Sequence, residues 1–443
     1  MASKTQAGAT IGEVERDHGL VRGMGVIAFA ATIANEVVGA GIYRLPAAMA
    51  AAAGVASPLA YLGCLVAMGA VVLCFAEGGS RVPTSGGPYG TIGAALGPTA
   101  GFVAGILLYL SCVLALGGVA AAFADTAAAA LPMLSGGVPR ATLIVVVLAA
   151  IAWLNVAGVE TAARIIGWAT FVKVLPLVLF VVIGGIALLQ GQGAATPIAH
   201  RPGEGIGEAV ILALFALSGM ESPLAASGEV ERPTRNIPRA LLLAMGSIGL
   251  LYILIQLVAQ GLLGAGLVGS KAPLADALGL VDPRLRPLML VAASFSMLCW
   301  LASDLLGAPR LLFAFARDGL LPKALGRVHP RWKTPHVGIW IHALLAMALA
   351  VTGTFTRLAV FASLAAAALY FLGCAAAWVL RRRDVAILGE PLALPALPLI
   401  AIVGMASMLV IIGLGQWSEI AGLAAVSIAS ALVFLVLRRV RRT

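Results

Sequence analysis

Apolar residues fill this chain in long runs, each closed by a short polar or basic stretch. A helix must hold about 20 apolar residues to cross a bilayer core. The pattern predicts spans near 23–53, 57–80, 98–131, 141–158, 165–190, 206–227, 237–264, 286–316, 336–354, 357–380, 393–414 and 418–437. The first span is broken in its middle. It reads Ile33-Ala34-Asn35-Glu36-Val37-Val38-Gly39-Ala40-Gly41-Ile42-Tyr43-Arg44-Leu45-Pro46, with two glycines and two charges where a membrane anchor would be uniformly apolar. Backbone freed inside lipid is tolerated only where it lines a cavity or is covered by protein. The sixth span is broken too, at Phe215-Ala216-Leu217-Ser218-Gly219-Met220-Glu221-Ser222-Pro223.

Two interrupted spans, five apart, predict two five-helix repeats of opposite orientation whose broken members meet at the bilayer midplane. The expected fold is therefore an all-α integral membrane protein of about 12 transmembrane helices. It is a 5+5 inverted repeat with helices 1 and 6 broken, plus two extra C-terminal helices. The expected divisions are a cytoplasmic N-terminal segment (1–22), a first repeat (23–190), a second repeat (191–383), and helices 11 and 12 with a basic tail (384–443). The longest polar insertions are 81–97, the stretch after 190, and 317–335.

Composition agrees with the pattern. Of 443 residues 61% are hydrophobic and 11% charged, with a mean hydropathy of +1.03. Soluble domains carry about 25% charged residues. The polar first 20 residues give no sign of a cleaved leader. Cys64, Cys74, Cys112, Cys299 and Cys374 all fall in apolar runs without metal-ligand spacing, so they read as small packing residues. No metal or cofactor is expected.

A net charge of +10 raises the question of nucleic acid, but its distribution answers otherwise. With twelve spans both termini share one side, and that side holds 20 of the 29 Lys and Arg. The positive-inside rule then places both termini in the cytoplasm. The basic charge is a topology signal and an attraction to anionic lipid, not a nucleic-acid surface. Abundant Ala and Arg with five Lys point to a GC-rich bacterial source and hence an inner membrane.

Several ordered motifs resemble the amino acid–polyamine–organocation (APC) transporter superfamily, of the permease and antiporter kind. Gly39-Ala40-Gly41-Ile42-Tyr43 with Pro46 resembles its first-span motif. Pro83-Thr84-Ser85-Gly86-Gly87-Pro88-Tyr89 resembles the loop after the second span, and Phe215 to Glu221 the sixth-span break. Glu229 to Ala240 resembles the loop that follows. Gly307-Ala308-Pro309-Arg310 and Ala316 to Pro322 resemble the end of the eighth span.

An amino acid presents a carboxylate and an ammonium. A helix start offers free N–H groups and a positive dipole end, and a helix finish the reverse. The start of the outer half near Ala40, Gly41 and Ile42 suits the carboxylate. Carbonyl ends near Val37, and near Phe215 and Ser218 beside Gly219, suit the ammonium. The resemblance implies the same division of labour. The plain alternative for Gly39 and Gly41 is close helix packing. Phe215 matches the aromatic gate of polyamine-type relatives, or simply packs. Tyr109 and Trp300 are candidates for the side-chain pocket, though aromatic residues recur in any bundle.

Charges inside the bilayer each need a partner or a role, since one at midplane costs at least about 2.5–3.5 kcal/mol. Lys173, in the fifth span, resembles the lysine that replaces a sodium ion in sodium-independent relatives, bridging the first and eighth spans. It is a fixed strut or a proton exchanger, and no sodium requirement is expected. Glu36 departs from the family pattern. It has three readings: a partner for Lys173, a reader of a cationic substrate, or the carrier of a coupled proton. Arg44 either holds a carboxylate or pairs with Asp304 or Glu36. Asp304 is a partner to one of these cations or a proton carrier, and Ser303 a donor toward Lys173. Glu221 accepts a hydrogen bond that steadies the sixth-span break, with a proton relay as the lesser reading. Asp125 reads as a solvated edge residue and Arg310 as a snorkelling one.

These features predict a secondary transporter of amino acids or related amines, working by alternating access, sodium-independent, and coupled to protons or to exchange. A cationic amino acid or polyamine antiporter is the second reading, and a channel or a non-transporting sensor the more distant one. Expected partners are an amino acid or amine, protons and membrane lipids, with the oligomeric state open. No His-Glu-x-x-His, Gly-x-Ser-x-Gly or Walker A motif occurs. His18, His200, His329 and His336 lie in or near loops. His342, in the ninth span, has no neighbouring acid or cysteine, so no enzyme is expected.

Overall fold

The fold was read from a computed structural model. It describes all residues except 1–22, 40, 83–86, 158–161, 195, 199–204, 225–229, 388–389 and 441–443; for 162–170 and 440 it describes the backbone alone. The expected N-terminal segment, Ala40 and the Pro83–Gly86 stretch thus lie outside the described residues.

The described residues are almost wholly helical. The apolar runs become α1 (Val26–Val37), α2 (Gly41–Ala53), α3 (Ser57–Arg81), α4 (Gly87–Leu96), α5 (Pro98–Ala130), α6 (Gly137–Val156), α7 (Ala162–Leu189) and α8 (Ile206–Leu217). They continue as α9 (Pro233–Leu263), α10 (Pro273–Val281), α11 (Leu285–Gly307), α12 (Pro309–Arg317), α13 (His336–Thr352), α14 (Phe355–Arg382), α15 (Leu397–Gly413) and α16 (Trp417–Val440). Among the described residues, eight helical segments are long and apolar enough to cross a membrane. Four shorter apolar helices, α1, α8, α13 and α15, join them. The protein is a multi-pass membrane protein.

Both expected breaks are present. α1 stops at Val37, whose successor Val38 leaves helical geometry, and helix resumes at Gly41. α8 stops at Leu217, and residues 218–222 are irregular. Two of the expected loops hold helices instead. α4 lies inside the 81–97 insertion, and α10 lies between the seventh and eighth spans. Gly97, with φ +96°, ends α4, and Pro98 starts α5 at a position where its missing N–H costs nothing. The eighth span divides at Pro309, which cannot donate to the preceding turn, so α12 starts there.

Helices α1, α2, α3, α8 and α9 pack on one another. So do α5, α6, α11 and α13. Between these two groups the helix contacts are sparse, chiefly α1 on α11, while α7 and α14 touch both. The packing also repeats under exchange of the two halves. α3 on α8 answers α9 on α1; α5 on α14 answers α11 on α7; α5 on α13 answers α11 on α6.

Arg81, expected in a loop, is instead buried at the end of α3. It pairs with Glu77 at 3.0 Å, and Glu77 also meets Arg381 of α14 at 3.3 Å and accepts from the Leu394 N–H at 3.0 Å. Glu77 is fully buried and its charge is met from two sides, as a buried carboxylate requires. The cluster ties α3, α14 and the approach to α15 together.

Candidate functional site

The two breaks touch. Gly219 has φ +115°, a conformation that suits glycine. A Cβ placed on it would lie 3.2 Å from the Glu36 carbonyl oxygen and 3.4 Å from the Val37 nitrogen. Glu221 holds the irregular segment in place. Its Oε2 accepts from the Gly219 N–H at 3.0 Å and from the Tyr370 hydroxyl of α14 at 2.6 Å.

The carbonyls at the end of α1 already have partners. The Lys173 ammonium donates to the Asn35 carbonyl and to Asn35 Oδ1, both at 3.0 Å. Trp300 Nε1–H donates to the Glu36 carbonyl at 2.7 Å. The Val37 carbonyl accepts from the Tyr252 hydroxyl at 3.0 Å and from the Gly39 N–H at 3.0 Å. At Val37, where the sequence reading put the substrate ammonium, a phenol and a backbone N–H thus stand, with a protein ammonium and an indole on the two residues before it. At the end of α8 the Ser218 hydroxyl turns back to the Phe215 carbonyl at 2.9 Å. At the start of α2, the N–H groups of Gly41, Ile42 and Tyr43 have no partner among the described residues.

Several ion partners differ from expectation. Lys173 is fully buried and bonds Asn35, not Glu36. Glu36 instead accepts from Ser303 of α11, which therefore does not serve Lys173. Arg44 reaches neither Asp304 nor Glu36. It points along α2 away from the break, to Asp125 at 3.7 Å and to the Lys271 carbonyl at 2.5 Å. Asp125, expected at a solvated edge, links Arg44 to Arg140 at 3.0 Å. Asp304 pairs with His342 Nε2 at 2.8 Å, so His342 does have an acid beside it. These partners sit on helices far apart in sequence. One chain's pattern fixes each helix face but not the register between helices.

A cavity of about 50 Å³ lies between the breaks. Glu36, Val37, Gly39, Gly41, Phe215, Ser218, Gly219, Glu221, Trp300 and Asp304 line it, with Ser111, Cys112, Ala115 and Val119 of α5 and Ser222. Trp300 presses on Gly39, where an added Cβ would come within 2.9 Å of its ring. Phe215 packs edge-on against Phe355 at 5.7 Å and lies beside Gly41. Tyr109 stands behind this wall, its ring 5.3 Å from that of His342. As site residues, Ser111, Cys112 and Ser222 were not singled out by sequence. They carry no motif, and only the i, i+4 and i, i+8 phase of Ser111, Ala115 and Val119 marks one face of α5.

The cavity continues into a vestibule of about 370 Å³ shared by Glu36, Cys112, Glu221, Ser222 and Asp304. It runs past Thr32, Tyr89, Leu108, Leu311 and Ala314 to the exposed Arg310. α5 gives the direction. Leu108 lies in the vestibule, residues 111–119 line the cavity, and Asp125 joins the Arg44–Arg140 cluster. At 1.5 Å per residue, Cys112 and Asp125 are about 20 Å apart along the axis. Thus one end is open, toward the start of α1 and the end of α12. The other is closed by Phe215 on Phe355 and by the Arg44 cluster.

Comparison with known proteins agrees with this architecture. A family model described as amino acid permease matches residues 24–437. An uncharacterized transporter of Mycobacterium bovis is 30% identical, over 73% of this chain and 72% of its own. A branched-chain amino acid permease of Bacillus subtilis is 25% identical over 79% of each chain. A methylthioribose transporter of the same organism is 26% identical over 74% of this chain and 75% of its own.

Proposed function

The chain belongs to the amino acid permease family of the APC superfamily, and from that premise we propose that it carries amino acids across the cytoplasmic membrane by alternating access. The observation that bears most weight is the contact of Gly219 with the Glu36 carbonyl. It brings two broken helices together around a cavity with free N–H donors on one side and carboxylates on the other.

The start of α2, at Gly41, Ile42 and Tyr43, receives the substrate carboxylate. The Val37 carbonyl is engaged by Tyr252, so the ammonium falls to the α8 end near Phe215 and Ser218 and to the free carboxylate oxygens of Glu36 and Glu221. The side chain lies against Ser111, Cys112, Ala115 and Trp300. The exchange symmetry of the helix packing supports the 5+5 inverted repeat, and the positions of the apolar helices support twelve crossings with both termini cytoplasmic. The vestibule then faces the cytoplasm, and Phe215 with Phe355 forms the closed side. Lys173 takes the place of a bound sodium ion by fixing the end of α1 to α7, so transport is sodium-independent and driven by protons or by exchange. Three carboxylates around one cavity favour the second reading, a cationic amino acid or amine.

A thermal-shift screen of the purified protein against the common amino acids and polyamines tests this. Stabilisation by one chemical group of ligands is expected. Ligand-independent melting across the whole panel would contradict it.

A further inference from the structure

Asp304 is the third carboxylate of the cavity, and the group attached to it is a histidine. Its Oδ2 lies 2.8 Å from Nε2 of His342, which is fully buried on α13 and does not line the cavity. His342 Nδ1 and the Tyr109 hydroxyl are both buried without a partner among the described residues. Asp304 itself borders both the cavity and the vestibule. Resting on the reading of this cavity as the transport site, we propose that Asp304 and His342 form the proton-binding site that couples amino-acid movement to the proton gradient.

The proton inventory follows from the hydrogen bond. Neutral His342 carries its proton on Nε2 and donates it to Asp304 Oδ2, so the resting pair has charge −1. One proton from vestibule water brings it to zero. A proton on Nδ1 would create a buried donor with no acceptor. Asp304 borders both the cavity and the vestibule, and the oxygen not held by His342, Oδ1, takes the proton there. When the vestibule closes and the opposite side opens, Oδ1 returns that proton to water on the other side.

Coupling comes from the neighbouring charges. Glu36 on α1 and Glu221 after α8 line the cavity with Asp304, and Lys173 on α7 stands behind it as a charge neighbour of Glu36; Tyr109 and Cys112 face Asp304 from α5. On α6 the nearby polar group is Asn155, which bonds the Ala302 carbonyl. Asp276 on α10 is paired with Arg286; on α12 the exposed Arg317 pairs with Asp318, and the exposed Arg310 lines the vestibule. A substrate carboxylate entering beside three acids meets repulsion. Neutralising Asp304 removes one of those charges as the carboxylate arrives, so proton and substrate bind cooperatively. His342 is a positioning residue, fixing the orientation of the Asp304 carboxylate through their hydrogen bond.

The test uses the full-length protein in pyranine-loaded proteoliposomes, with a mixture of the twenty common L-amino acids, part of it radiolabelled, as the probe. Wild type is expected to acidify the lumen by about one proton per amino acid taken up. Asp304→Asn should lower that ratio at least about tenfold and flatten the pH profile of uptake, and His342→Gln should displace the profile. Label uptake without acidification by wild type, or an unchanged ratio in Asp304→Asn, overturns the proton site and leaves the transport site standing. No uptake by wild type contradicts the transport reading instead. Infrared difference titration of the same proteoliposomes then tests the proton site without substrate. A protonated-carboxyl band is expected to vanish in Asp304→Asn and shift in His342→Gln, and its persistence unaltered in both would overturn the proposal.

Discussion

At Gly219 a single hydrogen in place of a side chain sets the whole site. Its φ of +115° disfavours any other residue, and a Cβ there would crowd the Glu36 carbonyl. Gly219→Ala should cost about 1–3 kcal/mol, read as a lower thermal midpoint, and should depress counterflow more than it lowers the yield of folded protein. Lys173 offers a second case. Lys173→Met keeps the volume but strips Asn35 of two donors, a loss of about 1–3 kcal/mol for acceptors left unmet. Uptake should fall, and equally in sodium and choline media; rescue by sodium would show that the lysine does not replace that ion. The breaks were legible in the sequence because glycine, proline and charge inside an apolar run have few innocent explanations. The accepting role expected of Glu221 corresponds to its bonds from Gly219 and Tyr370. The partners of Arg44, Glu36, Lys173 and Asp304 were not legible. Each bridges helices whose relative rotation one sequence does not encode, as with Asp304 and His342, 38 positions apart.

Among the elements, the two groups of helices bear on the proposed alternating access. α1, α2, α3, α8 and α9 form one packed body, and α5, α6, α11 and α13 another, with the cavity at their seam. Among the described residues the bonds across that seam include Trp300 to the Glu36 carbonyl, Ser303 to the Glu36 carboxylate, and Arg44 to Asp125 at the closed end. A small rotation of one body on the other can break these without disturbing either core, which is how packed elements switch between discrete arrangements. The vestibule gives a direct check. Leu311→Cys should react with an impermeant thiol reagent in inside-out vesicles and be shielded in right-side-out ones, and the reverse pattern would invert the assigned topology. The helices α4 and α10 escaped the sequence reading because both are short, carry glycine, and lie between longer apolar runs that dominate the pattern.

For the molecule as a whole, the proposed carrier resting open to the cytoplasm draws its support from the predicted excess of Lys and Arg on one side, the family membership and the one-sided vestibule. The broad outline was readable from apolar run lengths alone, because a bilayer leaves the backbone few choices. Side-chain specificity was not, since Ser111, Cys112 and Ala115 are ordinary residues on an ordinary helix face. The central claim is that the start of α2 binds substrate. It is tested most directly by counterflow of labelled amino acids and amines into proteoliposomes bearing wild type or Gly41→Leu. Gly41 is buried at the start of α2 and lines the cavity. A Cβ there lies 3.2 Å from Leu45 and 3.5 Å from Phe215, so a leucine would crowd the wall of the cavity. Saturable counterflow in wild type, lost in a Gly41→Leu protein that still melts cooperatively, is the expected result. Equal counterflow in both proteins would contradict it.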